Sequence, residues 1–202
     1  MSERSARERI LDAAHQLVLQ RGFAATTVDA VLAEASASKG AFFHHFPSKA
    51  HLGRALVERY AEGDAQALET AMSAAEAETD DPGEQLVCFL RSFEEGAEAV
   101  LKIQPSCLFI SFIYETELAD AGTDDIVARS ILHWRERILD KLEQAAADRP
   151  ALRAVDLPSL ADQLFTVFEG AFLLTRALGD KDAMGRQLSH LRHYVELLVS
   201  RG

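Results

Sequence analysis

The chain has 202 residues, 48% of them apolar, and a formal net charge of −11. This is apolar material for one or two compact units, and no apolar run approaches the roughly 20 residues of a membrane helix. The two cysteines, Cys88 and Cys107, make no disulfide framework and fit a reducing cytoplasm, and the charged N-terminus lacks the apolar core of an export signal.

Proline is scarce, Ala, Leu and Glu are plentiful, and no alternating β-branched run occurs, so the whole chain reads as helical. The first helix is expected from about Ser5 to Arg21, burying Ile10, Leu11, Ala14, Leu17 and Val18. Gly22 stops it, and Phe23 plugs a small core. Thr27 caps a second helix, whose apolar face is Val28, Val31, Leu32 and Ala35. Ala35-Ser36-Ala37 suits a sharp turn. Ser38 caps a third helix through Phe46, and Pro47-Ser48 closes it. The fourth starts near Ser48 and runs beyond Ala75, with Leu52, Leu56 and Tyr60 on one face and Gly63 as a weak point.

Thr79 to Gly83 forms a turn, and Asp81 before Pro82 starts the fifth helix. That helix carries Leu86, Phe89, Leu90, Phe93, Ala97 and Val100. Ile103-Gln104-Pro105 breaks the pattern, and a short, nearly all-apolar helix follows from Ser106 to about Leu118. Gly122 to Asp125 opens the next, with Ile126, Ser130, Ile131, Trp134, Ile138, Leu139 and Leu142 inward. Arg149 to Pro158 is expected as a surface loop. The last two helices span about Pro158 to Leu178 and Asp182 to Ser200, split at Gly179-Asp180.

Two short helices joined by a tight turn make a helix-turn-helix, which lays its second helix in the DNA major groove. Lys39 offers a charged donor there, and Gly40 lets the backbone lie close. Ala41 and Phe42 suit thymine methyls, while His44 and His45 suit phosphates or bases. Thr27 and Lys49 sit at helix N-termini, which attract phosphate. Singly, the lysines read as ordinary surface charges and the histidines as a solvated pair. Phe46 is expected in the core and Phe43 part-exposed. Residues 1–60 hold eight basic and six acidic residues, against 13 and 26 in the remainder. The reader is thus mildly basic on an acidic body, and its binding should be salt-sensitive.

At these residues the chain resembles the TetR family of bacterial transcriptional regulators. Thr27, Val28, Ala35, Ser38, Lys39, Gly40, Phe43, His44, Phe46, Pro47, Ser48 and Lys49 match the family pattern without a gap. Ser36 and Ala37 stand where the family usually has Gly and Val, Leu32 replaces a small Ala, and Phe43 replaces a Tyr whose hydroxyl often touches a phosphate. The resemblance implies an all-α fold: an N-terminal three-helix helix-turn-helix DNA-binding domain, residues 1–46, and a C-terminal helical ligand-binding and dimerisation domain, residues 47–202.

The penultimate helix is apolar on most sides, through Leu164, Phe165, Val167, Phe168, Ala171, Phe172, Leu174 and Leu178, so it must be buried on more than one. The last carries Leu188, Leu191, Val195 and Leu198 as a stripe. A monomeric core or a twofold four-helix interface would both use such faces. The resemblance implies the homodimer, with Leu164, Ala171, Leu174, Leu178, Leu188, Leu191, Val195 and Leu198 at its seam. Phe89, Phe93, Cys107, Phe109, Phe112, Trp134, Phe165, Phe168 and Phe172, with Glu169 as an isolated carboxylate, either simply pack or line a chamber for a small organic effector. Cys107 is a reactive thiol or a buried inert one.

No Gly-rich phosphate loop, His-Glu-x-x-His or Cys-x-x-Cys occurs, so neither an enzyme, a cofactor nor a metal site is expected. The expected function is a cytoplasmic, homodimeric TetR-type repressor with no membrane segment. It would bind a palindromic double-stranded operator and be released from it by a small organic effector. The rivals are a DNA-binding protein without an effector and a helical enzyme or carrier.

Overall fold

The computed structural model describes residues 5–104, 106–115 and 122–200. Among them are eleven helices and no strand: α1 Ala6–Arg21, α2 Val28–Ala35, α3 Lys39–His45, α4 Lys49–Glu78, α5 Pro82–Ile103, α6 Leu108–Ile113, α7 Thr123–Ala146, α8 Pro150–Arg153, α9 Leu157–Ala161, α10 Gln163–Leu178 and α11 Ala183–Val199. Pro105 and the expected helical residues 116–118 lie outside the described residues. The chain packs as two compact units, residues 1–63 with 106–129, and residues 64–105 with 130–202.

In the first unit α1, α2 and α3 each begin with a side-chain cap. Ser5 and Glu8 form a reciprocal capping box on α1. The Thr27 hydroxyl accepts from the Ala30 N–H at 3.2 Å, and the Ser38 hydroxyl from the Ala41 N–H at 3.1 Å. Caps matter here because α2 and α3 are too short to be stable alone. Gly22, at φ +82°, ends α1, where its N–H still reaches the Val18 carbonyl. Ile10, Leu11, Ala14, Val18, Phe23, Val31, Leu32, Phe42 and Phe46 form the core.

The expected boundary after residue 46 falls inside this unit. Leu52, Leu56 and Val57 of α4 are buried, and Arg59 donates to Asp12 Oδ1 at 2.8 Å and to the Leu11 carbonyl at 3.0 Å. The first turns of α4 therefore complete a core that three short helices cannot close. The segment 106–115 belongs there too. Phe112 packs on Phe23 with ring centroids 5.0 Å apart, Phe109 meets Tyr60 edge-on at 4.8 Å, and Ser106 donates to the Leu19 carbonyl.

In the second unit α11 packs along α5 and α10. Leu68, Met72, Leu86, Phe89, Leu142, Met184 and Leu188 are buried. One polar knot ties its chain ends together. Asp81 caps α5 by accepting from the Gly83 and Glu84 N–H groups. Its carboxylate is also gripped by Arg149, 2.6 Å from Oδ2, and Arg149 reaches the Val199 carbonyl at 2.7 Å. Arg149 is only 3% exposed. A Cβ at Gly83 would lie 2.9 Å from both Arg149 and Val199, so glycine is required by close approach.

Two expectations fail in this unit. Residues 149–158 are not a plain loop: Pro150 and Pro158 sit in the first turns of α8 and α9, where a missing N–H costs nothing. Leu152, Leu160 and Ala161 are buried there. The penultimate helix is also not continuous from Pro158. It breaks at Asp162, whose carboxylate takes both arms of Arg135 at 2.7 and 2.8 Å, and α10 begins at Gln163.

Candidate DNA-reading face and aromatic core

The turn between α2 and α3 is made by Ser36, in the left-handed region at φ +48°, ψ +47°. It presents α3 with Lys39, Gly40, Phe43 and His44 exposed, and Ala41 and His45 half-buried. Thr27 and Ser38 are exposed too, with their oxygens engaged as caps. Lys39 Nζ lies 3.1 Å from Asp29 Oδ1, both side chains largely in solvent. Such a pair is weak, so the ammonium can exchange this partner for a phosphate. A Cβ at Gly40 would meet only the Ser38 Oγ, at 3.9 Å, so nothing within the chain demands glycine there.

Phe42 does not belong to this face. It is 0% exposed, with its ring 5.7 Å from that of Phe46 in the core. A thymine methyl cannot reach it. Phe43 is 56% exposed and is the phenylalanine open to a partner. Lys49 opens α4, the helix N-terminus where it was expected. Its ammonium sits over the Phe23 ring, 4.4 Å from the centroid, and donates to the Ala24 carbonyl at 3.2 Å. It holds the α1–α2 loop rather than projecting from it. Arg9 was not anticipated: it donates to the Ala35 carbonyl, bracing the C-terminus of α2.

The expected effector-binding set divides between the units. Phe112 is wholly buried in the first, and Cys107 precedes α6 there, also buried. Phe109 lies in the first unit as well, against Tyr60. The others do cluster. Trp134 lies 5.7 Å from Phe93, 5.7 Å from Phe165 and 6.3 Å from Phe89. Phe93 reaches Phe168 at 5.6 Å, and Phe168 reaches Phe172 at 6.5 Å. Phe89, Trp134 and Phe172 are buried, whereas Phe93, Phe165, Phe168 and Glu169 are half-buried. Beside them, an apolar cavity of about 20 Å³ is lined by Phe89, Leu86, Ile138, Leu160, Leu164 and Leu191, among others. It would hold one water-sized molecule.

Asp64 completes this region and has no signal in the sequence. Its Oδ2 accepts from the Trp134 indole N–H at 2.7 Å. Burial pushes its pKa up from 3.8 to about 6, against the opposing effects of the Trp134 hydrogen bond and the His133 charge. Farther along, Glu76 receives Lys141 and Arg137, each at 2.7 Å. Those bonds, Lys141's first, hold its carboxyl below the usual range.

Several expected seam residues already have partners within the chain. Leu164, Ala171, Leu188, Leu191 and Val195 are buried in a single protomer, because α11 packs on both α5 and α10. Leu174 and Leu198 are half-buried. What stays uncovered is Leu178, which was expected, together with Leu173, Tyr194 and Leu197, which were not in the seam set; Leu178 is 71% exposed and Leu197 74%. Among the described residues no helix is long and apolar enough to cross a membrane, and no three His, Cys, Asp or Glu side chains converge as a metal site.

The family model for bacterial regulatory proteins of the tetR family matches residues 10–56, and that for the tetracyclin repressor-like C-terminal domain matches residues 82–191. The chain is similar to the HTH-type transcriptional repressor NemR of Escherichia coli (strain K12), 41% identical over 59 residues. That match covers 29% of this chain and only 30% of the length of NemR. It is also 29% identical over 171 residues to the transcriptional regulator AcuR of Cereibacter sphaeroides, covering 83% of this chain and 75% of AcuR. The solved regulatory protein TetR from Rhodobacter sphaeroides superposes with a TM-score of 0.76 at 23% identity, over 94% of this chain and 98% of that one. The reduced form of E. coli NemR gives 0.71 at 19%, over 98% and 99%. At these identities the structural likeness speaks for the fold.

Proposed function

Because the chain belongs to the TetR family of bacterial regulatory proteins, and is thus a helix-turn-helix transcriptional regulator, we propose that it works as a homodimeric repressor. It sits on a palindromic operator and leaves when a small organic effector occupies the second unit. The observation that carries this reading is the outer face of α3, where Lys39, Gly40, Phe43 and His44 are exposed on a helix fixed by the Ser38 cap. Glycine at position 40 meets no internal crowding, which fits a residue kept small for a partner's backbone. Thr27, Ser38 and Ala41 flank the contact, Lys39 and His44 reach phosphates or bases, and His45 lies at the edge. The dimer joins through Leu173, Leu178, Tyr194 and Leu197, which are exposed among the described residues.

The experiment is an operator titration at fixed salt with Lys39→Ala. A lost phosphate or base contact should weaken binding by about 1–3 kcal/mol, roughly 5- to 150-fold. Unchanged affinity would remove Lys39 from the interface. One observation favours a second reading, a repressor with no effector: the cavity of about 20 Å³ beside Phe89 is too small for an organic molecule. Effector control then requires the half-buried rings of Phe93, Phe165 and Phe168 to supply the surface instead.

A further inference from the structure

Several carboxylates of the second unit pair with cations. Glu69 meets His133 and Arg137, Glu76 meets Arg137 and Lys141, Asp81 meets Arg149, Glu94 meets Arg192, and Asp162 meets Arg135. Asp64 departs from this pattern. Among the described residues no lysine, arginine or histidine lies within ion-pair distance of it, and its hydrogen bond comes from a neutral donor, the Trp134 indole. His133, which bears on it through space, is itself turned to Glu69 at 3.4 Å. One neutral N–H uses a single acceptor position of the carboxylate and leaves the charge uncompensated in a half-buried place, an expensive arrangement unless something else pairs with it.

The surroundings specify that missing partner. Trp134 is packed against Phe93 and Phe165, and Phe93 against Phe168, all at centroid separations of 5.6–5.7 Å. Phe93, Phe165 and Phe168 remain half-buried although each touches another ring, so this aromatic cluster is not closed by its own chain. Ring faces attract cations held within about 6 Å of the centroid, organic ammonium groups above all. A metal ion is poorly served, since no three His, Cys, Asp or Glu side chains gather there among the described residues. An anionic ligand would be repelled, and a neutral one would leave Asp64 unpaired.

We propose that Asp64 and the rings of Trp134, Phe93, Phe165 and Phe168 form a binding site for an organic cation, with the carboxylate pairing the charge and the rings enclosing its apolar body. Assigning this cation as the effector rests on the repressor reading above. The binding site itself does not. Asp64 also lies on α4, the helix whose first turns belong to the DNA-reading unit, so occupancy bears on a helix shared by both units.

Trp134 is the single tryptophan of the chain, so its emission reads the site directly. The test titrates intact protein with benzyltrimethylammonium and with its neutral carbon isostere, neopentylbenzene. The cation should change Trp134 emission saturably and bind at least tenfold more tightly than the isostere. Asp64→Asn should sharply reduce that preference while leaving the isostere's affinity within about twofold. Equal affinity for the two probes, no response to the cation, or an unaltered preference in Asp64→Asn would overturn the proposal. If the variant does not fold, the wild-type ratio decides alone. Adding the cation to the operator complex separates the two claims. Binding without release keeps the cation site but removes its effector role. Release by both probes at equal affinity keeps effector control but overturns cation selectivity.

Discussion

Ser36 adopts a left-handed conformation that a Cβ makes costly, because the α2–α3 turn has no other way to redirect the chain. Ser36→Gly should therefore raise stability by about 0.5–1 kcal/mol in urea unfolding; a loss would mean that the hydroxyl supports the turn. Asp64 gives a prediction with a defined pH window. Its folded pKa, about 6, lies above the ordinary 3.8, so the folded chain holds that proton more tightly than the unfolded one. Its ionisation then opposes folding above about pH 6, and the penalty fades as pH falls toward about 4. Asp64→Asn, which retains an acceptor for the indole, should gain up to about 3 kcal/mol near pH 8, shrinking across that window. A difference that does not vary with pH would contradict this. The same residues show what local pattern can carry. Thr27 and Ser38 announce their caps because a hydroxyl before a helical run is a local signal. Asp64 announces nothing, since in an acid-rich helix a half-buried aspartate and a solvated one look alike.

Among the elements, α8 begins at the polar knot, with Arg149 at its N-cap. Arg149 bridges the cap of α5, the Ala145 carbonyl of α7 and the Val199 carbonyl of α11; against burial, which pushes the other way, its partner Asp81 is held below the ordinary carboxylate range by the guanidinium and the Glu84 and Gly83 N–H groups. Removing one partner strands the other, so Arg149→Leu should destabilise the chain by about 3–5 kcal/mol, readable as a lower urea midpoint. A change below about 1 kcal/mol would mean that the knot is incidental. Helical periodicity made the long helices legible, and it misled where the answer lay in a partner. Phe42 and Phe43 are adjacent in a short helix, and only packing against α1 decides which one turns inward. Leu188, Leu191 and Val195 form a real stripe, but a stripe does not say whether α5 or a second protomer covers it. Pro150 lies in the stretch expected as a loop, whereas it occupies the one part of a helix that tolerates proline.

For the whole molecule, the proposed repressor joins a weakly charged reader to a second copy of itself. Residues 1–60 carry a surplus of only two positive charges while the whole chain stands at −11, so one reading head has little electrostatic hold on a duplex. Two heads on a symmetric dimer double the contacts and match an inverted repeat. Leu173, Leu178, Tyr194 and Leu197 supply the uncovered apolar surface such a dimer needs. The decisive measurement selects duplexes from a random pool with the purified chain, then weighs the resulting complex by light scattering. The account predicts an enriched inverted repeat carrying an even number of chains, two per copy of the repeat. A selection that enriches no sequence, or a single chain bound per site, would contradict it.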